Sequence, residues 1–384
     1  MPVVPFAALS LSRPTVGILS TYPPTPCGLA TFSAALVAGL RAHGVASRVV
    51  RVADGMTCDA DVVVGELVNG SPASANAAAD ILNDCDVVIV QHEYGLYGGS
   101  DGDEVVDLLG ALRVPSLVIA HTLLREPTAH QRAVLIDVAT IADRIVVMSG
   151  AARDRLCHGF DVDPSKVSTI PHGAAIPSPS PPTAVSRRPT MLTWGLVGPG
   201  KGIERVIDAM PKLRDLPAQP RYLVAGTTHP KVIASEGEAY RNARIEQAWR
   251  NGVAASVTFD STYRDVPSLT ALIQSATAVV LPYDSREQAT SGVLVDAIAA
   301  GRPVVATAFP HAVELLGGGA GIVVDHDDPP ALVHALRRLL GDPRLAARMS
   351  AAAARLAPSL GWPVVAEAYL DLADTVLAER PALV

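Results

Sequence analysis

Short apolar runs alternate with amphipathic stretches along almost the whole chain. The runs at 15–20 (TVGILS), 87–91 (VVIVQ), 116–120 (SLVIA), 144–149 (RIVVMS) and 167–171 (VSTIP) have the length and character of buried strands. Between the first two, TFSAALVAGLRAHG (31–44) has helical spacing and ends on Gly44, a natural C-terminal stop. Alternating strands and helices predict a parallel, doubly wound α/β sheet. The texture breaks at 174–190 (AAIPSPSPPTAVSRRPT), where Pro and Ser are too dense for a regular element. Alternation then restarts with strands expected at 191–197, 221–226, 256–260, 278–283, 303–307 and 321–324. We therefore divide the chain into a first Rossmann-like domain (1–176), a linker (177–190), a second Rossmann-like domain (191–360) and a terminal segment (361–384). The terminal segment carries a helix from Trp362 to about Leu377. Two such halves joined by a hinge predict a cleft between them, a common place for ligands.

Composition sharpens this picture in a few places. At 384 residues the chain exceeds one ordinary core, and 49% hydrophobic with 4% aromatic residues suits parallel strands covered by helices. The net charge of −7 has mixed signs and provides no basic field for nucleic acid. Cys27, Cys58, Cys85 and Cys157 are widely spaced, which fits free thiols in a reducing compartment. The start lacks a secretory pattern and no run is long and apolar enough to span a membrane. A cytoplasmic protein is the expectation, with peripheral contact at the inner membrane face left open.

Three strand–turn–helix junctions carry candidate chemistry. STYPPTPCGLATFSAAL (20–36) places Gly28 where a ligand can approach the backbone, with Thr31 expected to cap the helix. WGLVGPGKGIERVIDAM (194–210) surrounds Lys201 with Gly198, Gly200 and Gly202. A lysine at a helix start opposes the helix dipole, a conflict that an intervening diphosphate removes; the alternative is a solvated surface lysine beside a flexible turn. EQATSGVLVDAIAAGRPVV (287–305) offers N–H groups at Ser291, Gly292 and Val293 as an anion site, with Asp296 one turn further in, where it can accept from a ribose or sugar diol. Its alternative is that Gln288, Thr290 and Ser291 only cap the helix. His92 and His121 both follow strands at the sheet edge where open α/β proteins bind ligands, and His172 lies in a turn near the linker. His92, Glu93 and Glu287 are further candidates for sugar or acceptor contact. No histidine pair has ligand spacing on a helix, so no metal is expected.

In this order the pieces resemble the retaining nucleotide-sugar glycosyltransferases of family 4, whose two-Rossmann-domain architecture is called GT-B. The resemblance rests on the Gly28 loop, His121, PHGA (171–174), GPGKG (198–202), AG (225–226) and SGVLVDAIAAGRPVVAT (291–307), and covers nearly the whole chain. It implies a terminal helix returning to the first domain, which would be the acceptor side, with the donor on the second. It further implies catalytic roles for His121, Lys201 and position 288, and phosphate or donor contacts from Gly28, Gly200, Lys201, Ser291, Gly292 and Val293. Asp296 would hold the ribose. No cofactor is implied beyond the substrate, a UDP- or GDP-hexose, with a carbohydrate or other hydroxyl compound as acceptor.

The chain departs from the family pattern in three places, as a divergent subgroup would. Gln288 stands where the family's signature has its first acid, Asp296 where it usually has Glu, and Leu196 where a phosphate-binding arginine is common. Arg205 or Arg286 could supply that last charge. A glycoside phosphorylase using inorganic phosphate is the alternative on the same fold. A non-catalytic sugar- or nucleotide-binding protein is the alternative from another class.

Overall fold

The computed structural model describes residues 13–177, 188–262 and 264–380. The first sheet comprises β1 (Val16–Ser20), β2 (Ser47–Val52), β3 (Val63–Leu67), β4 (Val87–His92), β5 (Ser116–Ala120), β6 (Arg144–Val147) and β7 (Val167–Thr169). The second comprises β8 (Thr190–Trp194), β9 (Arg221–Ala225), β10 (Val257–Asp260), β11 (Ala278–Leu281), β12 (Val304–Thr307) and β13 (Gly321–Val324). Their orders are β3-β2-β1-β4-β5-β6-β7 and β10-β9-β8-β11-β12-β13, with parallel pairing throughout. In each sheet the strand order reverses at one point, between β1 and β4 and between β8 and β11. A crevice opens there at the carboxyl ends of the strands. The glycine-rich junctions follow β1, β8 and β11, so topology alone delivers them to the two crevices.

Central strands such as Val87–His92 and Ala278–Leu281 are buried along their whole length, as double-sided coverage requires. β2 and β3 are additions to the sequence reading. β2 carries Arg51, whose side chain is fully buried, and the β3 sequence VVGEL holds an acid and a glycine on a half-exposed edge. Neither reads as an apolar run. Arg51 is stabilised by Asp54 and Glu66 and donates to the Tyr22 carbonyl and the Thr25 hydroxyl, tying β2 to the loop that precedes Gly28. Burial of that charge is compatible with folding because every donor face has a partner.

The helix expected at 31–44 spans Gly28–Ala42, and Gly44 adopts the left-handed φ of 73° that stops it. The terminal helix runs Trp362–Glu379 and packs across the first sheet, burying Val365, Ala366, Tyr369, Leu370, Ala373 and Val376 among strand residues Val16, Ile18, Ile89 and Ile119. Gly39 makes the fit: a Cβ there would stand 2.8 Å from Ala366 Cβ and from the Trp362 carbonyl. Arg144–Glu379 and Arg380–Asp143 ion pairs fasten its end. Residues 178–187 of the expected linker lie outside the described residues, and β8 begins at Thr190 and ends at Trp194, where Gly195 turns with φ 111°. Where the chain leaves the first domain it runs beside its own return, with Ala174 N–H donating to the Leu360 carbonyl (2.7 Å) and Trp362 N–H to the Ala174 carbonyl (3.2 Å). Among the described residues no helix is long and apolar enough to cross a membrane.

Candidate active site

The first-domain wall is built on β1, β4 and β5. Cys27, not Thr31, caps the Gly28–Ala42 helix: its Sγ accepts from Ala30 N–H at 3.4 Å. Thr31 already lies in the first turn and donates its hydroxyl back to the Cys27 carbonyl. Gly28 is exposed, and a Cβ there would meet nothing within 4 Å, so the space above this helix start is open. Phe32, one turn on, is the hub of a cluster of edge-on rings: His121 at 5.0 Å, His172 at 5.1 Å and Trp362 at 4.9 Å. His121 Nε2 is paired with Gln91 Oε1, and its backbone N–H donates to the His92 carbonyl at 3.0 Å. Burial, with the neighbouring His172 and His92, pushes His121 down to about 3, so it is a neutral hydrogen-bonding group at physiological pH.

His92 does not reach the cleft. It is 1% exposed, its ring packs edge-on to Tyr94, and burial lowers it to about 4. The ring is covered by protein and is not part of the cleft lining, so the expected sugar or acceptor contact is corrected. Glu93 lies at the crevice, accepts from the Thr122 hydroxyl at 2.5 Å, and is shifted upward by burial.

The second-domain wall follows β8 and β11. Gly202 has φ 63°, and a Cβ there would sit 1.7 Å from the Pro282 carbonyl oxygen, so only glycine allows the GPGKG turn to lie against the β11 loop. Gly200, with φ 88°, is exposed at the turn. Lys201 is not the solvated surface residue of the alternative reading. Its ammonium lies 4.6 Å from the Tyr283 ring centroid, with no carboxylate partner among the described residues, and burial lowers its pKa. Tyr283 in turn stacks on Phe309 at 5.3 Å.

The junction after β11 divides its expected donors. Ser291 caps the Gly292–Ala299 helix through its hydroxyl (3.3 Å from Leu294 N), and its N–H donates to His311 Nδ1 at 2.9 Å. Ser291 is 3% exposed, so its expected phosphate contact is corrected: both of its polar groups are engaged by protein. Gly292 and Val293 N–H groups have no protein partner among the described residues, which is the state of a helix start prepared for an anion. His311, held neutral by burial at about 4, is an acceptor that sequence reasoning missed; nothing in FPHAVELL marks it.

Asp296 is half-buried, its carboxylate has no hydrogen-bond partner among the described residues, and burial raises it to about 7. A raised folded-state pKa means the acid's stabilising protonated form is fully present below about 4 and is lost as pH rises through about 7. Asp296→Asn is therefore expected to raise Tm by a few degrees at pH 8 and by less at pH 5, checked by scanning fluorimetry. Donor affinity should fall about tenfold, as expected for one charge-assisted hydrogen bond, and lose its rise between pH 6 and 8.

Gln288 and Glu287 complete the rim. Gln288 Nε2 donates to the Thr290 carbonyl (3.1 Å), while Glu287 pairs with Arg125 (3.1 Å) and Arg155 (3.3 Å) of the first domain. The two arginines considered for the missing phosphate charge are both engaged: Arg205 with Asp284 (2.8 Å) and the His326 carbonyl, Arg286 with Asp327. A cleft of about 590 Å³ lies between the domains, lined by His121, Thr122 and Arg125 on one side and Glu287, Gln288 and Thr290 on the other. Lys201, Gly28 and Asp296 stand outside that lining. Gly292 also stands outside it, against His172 of the first domain, whose Nε2 would lie 2.8 Å from a Cβ at that glycine.

Two family descriptions match the two halves: Glycosyltransferase Family 4 over residues 26–176 and Glycosyl transferases group 1 over residues 188–342. The chain belongs to the family 4 glycosyltransferases. Among its relatives, the D-inositol 3-phosphate glycosyltransferase of Kineococcus radiotolerans is 29% identical over 275 residues, 64% of this chain and 60% of that protein. The protein of the same name from Corynebacterium diphtheriae is 29% identical over 285 residues, 66% of this chain and 64% of that one. The matches thus span less than two thirds of these relatives' own length.

Solved structures share the GT-B fold of this family 4 chain at low identity. Anabaena HepE, in complex with UDP and glucose, has a TM-score of 0.75 at 16% identity, covering 94% of this chain and all of that one. A glycosyltransferase from Rickettsia africae has a TM-score of 0.74 at 13% identity, covering 96% and 100%.

Proposed function

We propose that the chain is a retaining hexosyltransferase that moves sugar from a nucleotide-sugar donor to a hydroxyl acceptor without a metal ion. One observation carries this reading: the Lys201 ammonium, largely withdrawn from water over the Tyr283 ring, has no carboxylate partner among the described residues, and at the junction after β11 the Gly292 and Val293 N–H groups have none either. Such an arrangement is costly unless an anion completes it, and a diphosphate supplies two negative phosphates. In the reaction the bond from the anomeric carbon to the diphosphate oxygen breaks and a bond to the acceptor oxygen forms on the same face. The acceptor proton passes to the departing phosphate oxygen. Lys201 and the helix N–H groups hold the charge that grows on that oxygen, where stabilisation lowers the barrier. Neutral His121 offers a hydrogen bond to a sugar hydroxyl, Gln288 presents an amide where a carboxylate would add charge, and Asp296 accepts from the ribose.

HepE in complex with UDP-glucose makes a UDP-hexose the first donor to test, and the names of the relatives make a phosphorylated cyclitol the first acceptor. A calorimetric screen of UDP- and GDP-hexoses against inorganic phosphate decides the donor class: micromolar-range binding of a nucleotide sugar is expected. The amide at position 288 and the engaged arginines favour a phosphorylase as the second reading. Release of sugar 1-phosphate from a disaccharide and phosphate, without nucleotide, would establish it.

A further inference from the structure

The second domain does not hold its donor loop alone. Residues 285–291 form neither strand nor helix, and two of the loop's carbonyls receive hydrogen bonds from the first domain. Arg155 donates to the Glu287 carbonyl and the Ser149 hydroxyl to the Ala289 carbonyl, each at 2.6 Å. Arg155 is fixed beforehand by a 2.9 Å bond to the Leu123 carbonyl of its own domain. Ala289 is 8% exposed and packs into the first domain's core rather than the second's.

The same place receives a contact in return. Ser149 is the N-cap of the Gly150–Gly159 helix, accepting from Ala152 N–H at 3.0 Å. The next two N–H groups, of Gly150 and Ala151, donate to the two carboxylate oxygens of Glu314 at 2.9 and 3.0 Å. Glu314 belongs to the second-domain helix Pro310–Leu316, and that helix braces the donor loop from behind: His311 Nδ1 accepts from Ser291 N–H, and His311 N–H donates to the Gln288 carbonyl at 3.3 Å. The loop 287–291 is therefore gripped between two helices of different domains, and Glu314 joins those helices to each other.

We propose that Glu314 is a positioning residue: on domain closure its carboxylate caps the first domain's Gly150–Gly159 helix and locks the donor loop in its transfer geometry. The inference rests on the reading that this cleft binds the donor. The chemistry suits a contact made and broken in each cycle. A carboxylate is the favoured partner for a helix start, where N–H groups lack intrahelical acceptors and the dipole is positive. Glu314 lies on an exposed rim, so on opening both sides return to water at little cost. The inner contact, Ser149 to Ala289, is buried and is made only when the two domains meet.

The test compares full-length wild type with Glu314→Ala and Glu314→Gln, using UDP-glucose turnover, UDP binding by calorimetry and small-angle scattering. An exposed side chain is changed, so the folded state persists. For Glu314→Ala, kcat is expected to fall by about 10- to 100-fold, the scale of an ångström-level misplacement, with the UDP dissociation constant little changed and the radius of gyration enlarged. Glu314→Gln should recover part of both effects, because the amide oxygen still accepts from a backbone N–H. Wild-type kcat and radius of gyration in Glu314→Ala would overturn the proposal. So would equal losses in both variants with an unchanged radius, which would make the charge itself the active feature. If wild type turns over no nucleotide sugar, the transferase reading fails while the scattering comparison alone still decides the latch.

Discussion

Lys201→Ala is expected to lower kcat/KM for sugar transfer by about 100- to 1,000-fold, the scale of losing one preorganised donor to a developing oxyanion. The fold should survive the change, and Tm should hold or rise. The two halves of this expectation have one cause. The ammonium is largely withdrawn from water, faces the Tyr283 ring at 4.6 Å and has no carboxylate beside it among the described residues, so the folded protein carries it at a cost that desolvation sets. Removing it relieves that cost in the free enzyme and exposes the missing charge only when the leaving phosphate develops its own. Steady-state kinetics with UDP-glucose, paired with thermal unfolding in the absence and presence of UDP, checks both. The shift in Tm that UDP produces in wild type should shrink in the variant, since that shift measures binding to the native state. Undiminished turnover would remove Lys201 from the phosphate site, and a large loss of Tm would make it a structural residue.

Gly292→Ala should be nearly as damaging by a steric route. The added Cβ would lie 2.8 Å from His172 Nε2, inside any real contact distance. His172 has no room to retreat: its Nδ1 is bonded to the Gly173 carbonyl at 2.7 Å and its ring is wedged between Phe32 and Trp362. Because His172 belongs to the first domain and Gly292 to the second, the methyl group acts as a spacer between them. Each domain should keep its own core, so Tm changes little. The closed state becomes inaccessible and kcat falls about 100-fold, the usual scale of such misplacement. Scattering on the variant with UDP should show no contraction. A variant that closes and turns over normally would show that His172 yields.

Much of this was legible in the residues. Buried parallel strands announce themselves as apolar runs, and the central strands of both sheets lie where those runs are, although β8 stops at Trp194, three residues short of its expected end. β2 and β3, at one side of the first sheet, were not legible, because β2 buries an arginine and β3 is interrupted by Gly65 and Glu66, chemistry that makes sense only once Asp54 and the Tyr22 loop are adjacent. The three glycine-rich junctions were legible for a similar reason: strand, turn and helix are local. What each N–H does there was not. Ser291 looked free because its acceptor, His311, arrives from twenty residues away, and Thr31 looked like a cap because a cysteine is an unusual one. Arg205 and Arg286 read as spare charge until their partners Asp284 and Asp327 were in place. Local sequence reports what a group can do; long-range contacts decide whether it is already employed.

The terminal helix gives the chain an inverted order of completion. The first domain's strands leave the ribosome before the second domain, but one face of their sheet is covered by Val365–Val376, which emerge after it. Until then, Val16, Ile18 and Ile89 lack their cover, however well the strands have paired. The second domain, made later, contains its own core and can close earlier. A nascent chain stalled anywhere before Trp362 therefore presents an uncovered apolar sheet face, the kind of surface that chaperones hold and that otherwise drives aggregation. In this protein the eighteen-residue helix Trp362–Glu379 is what completes the first domain, after the whole second domain has been made.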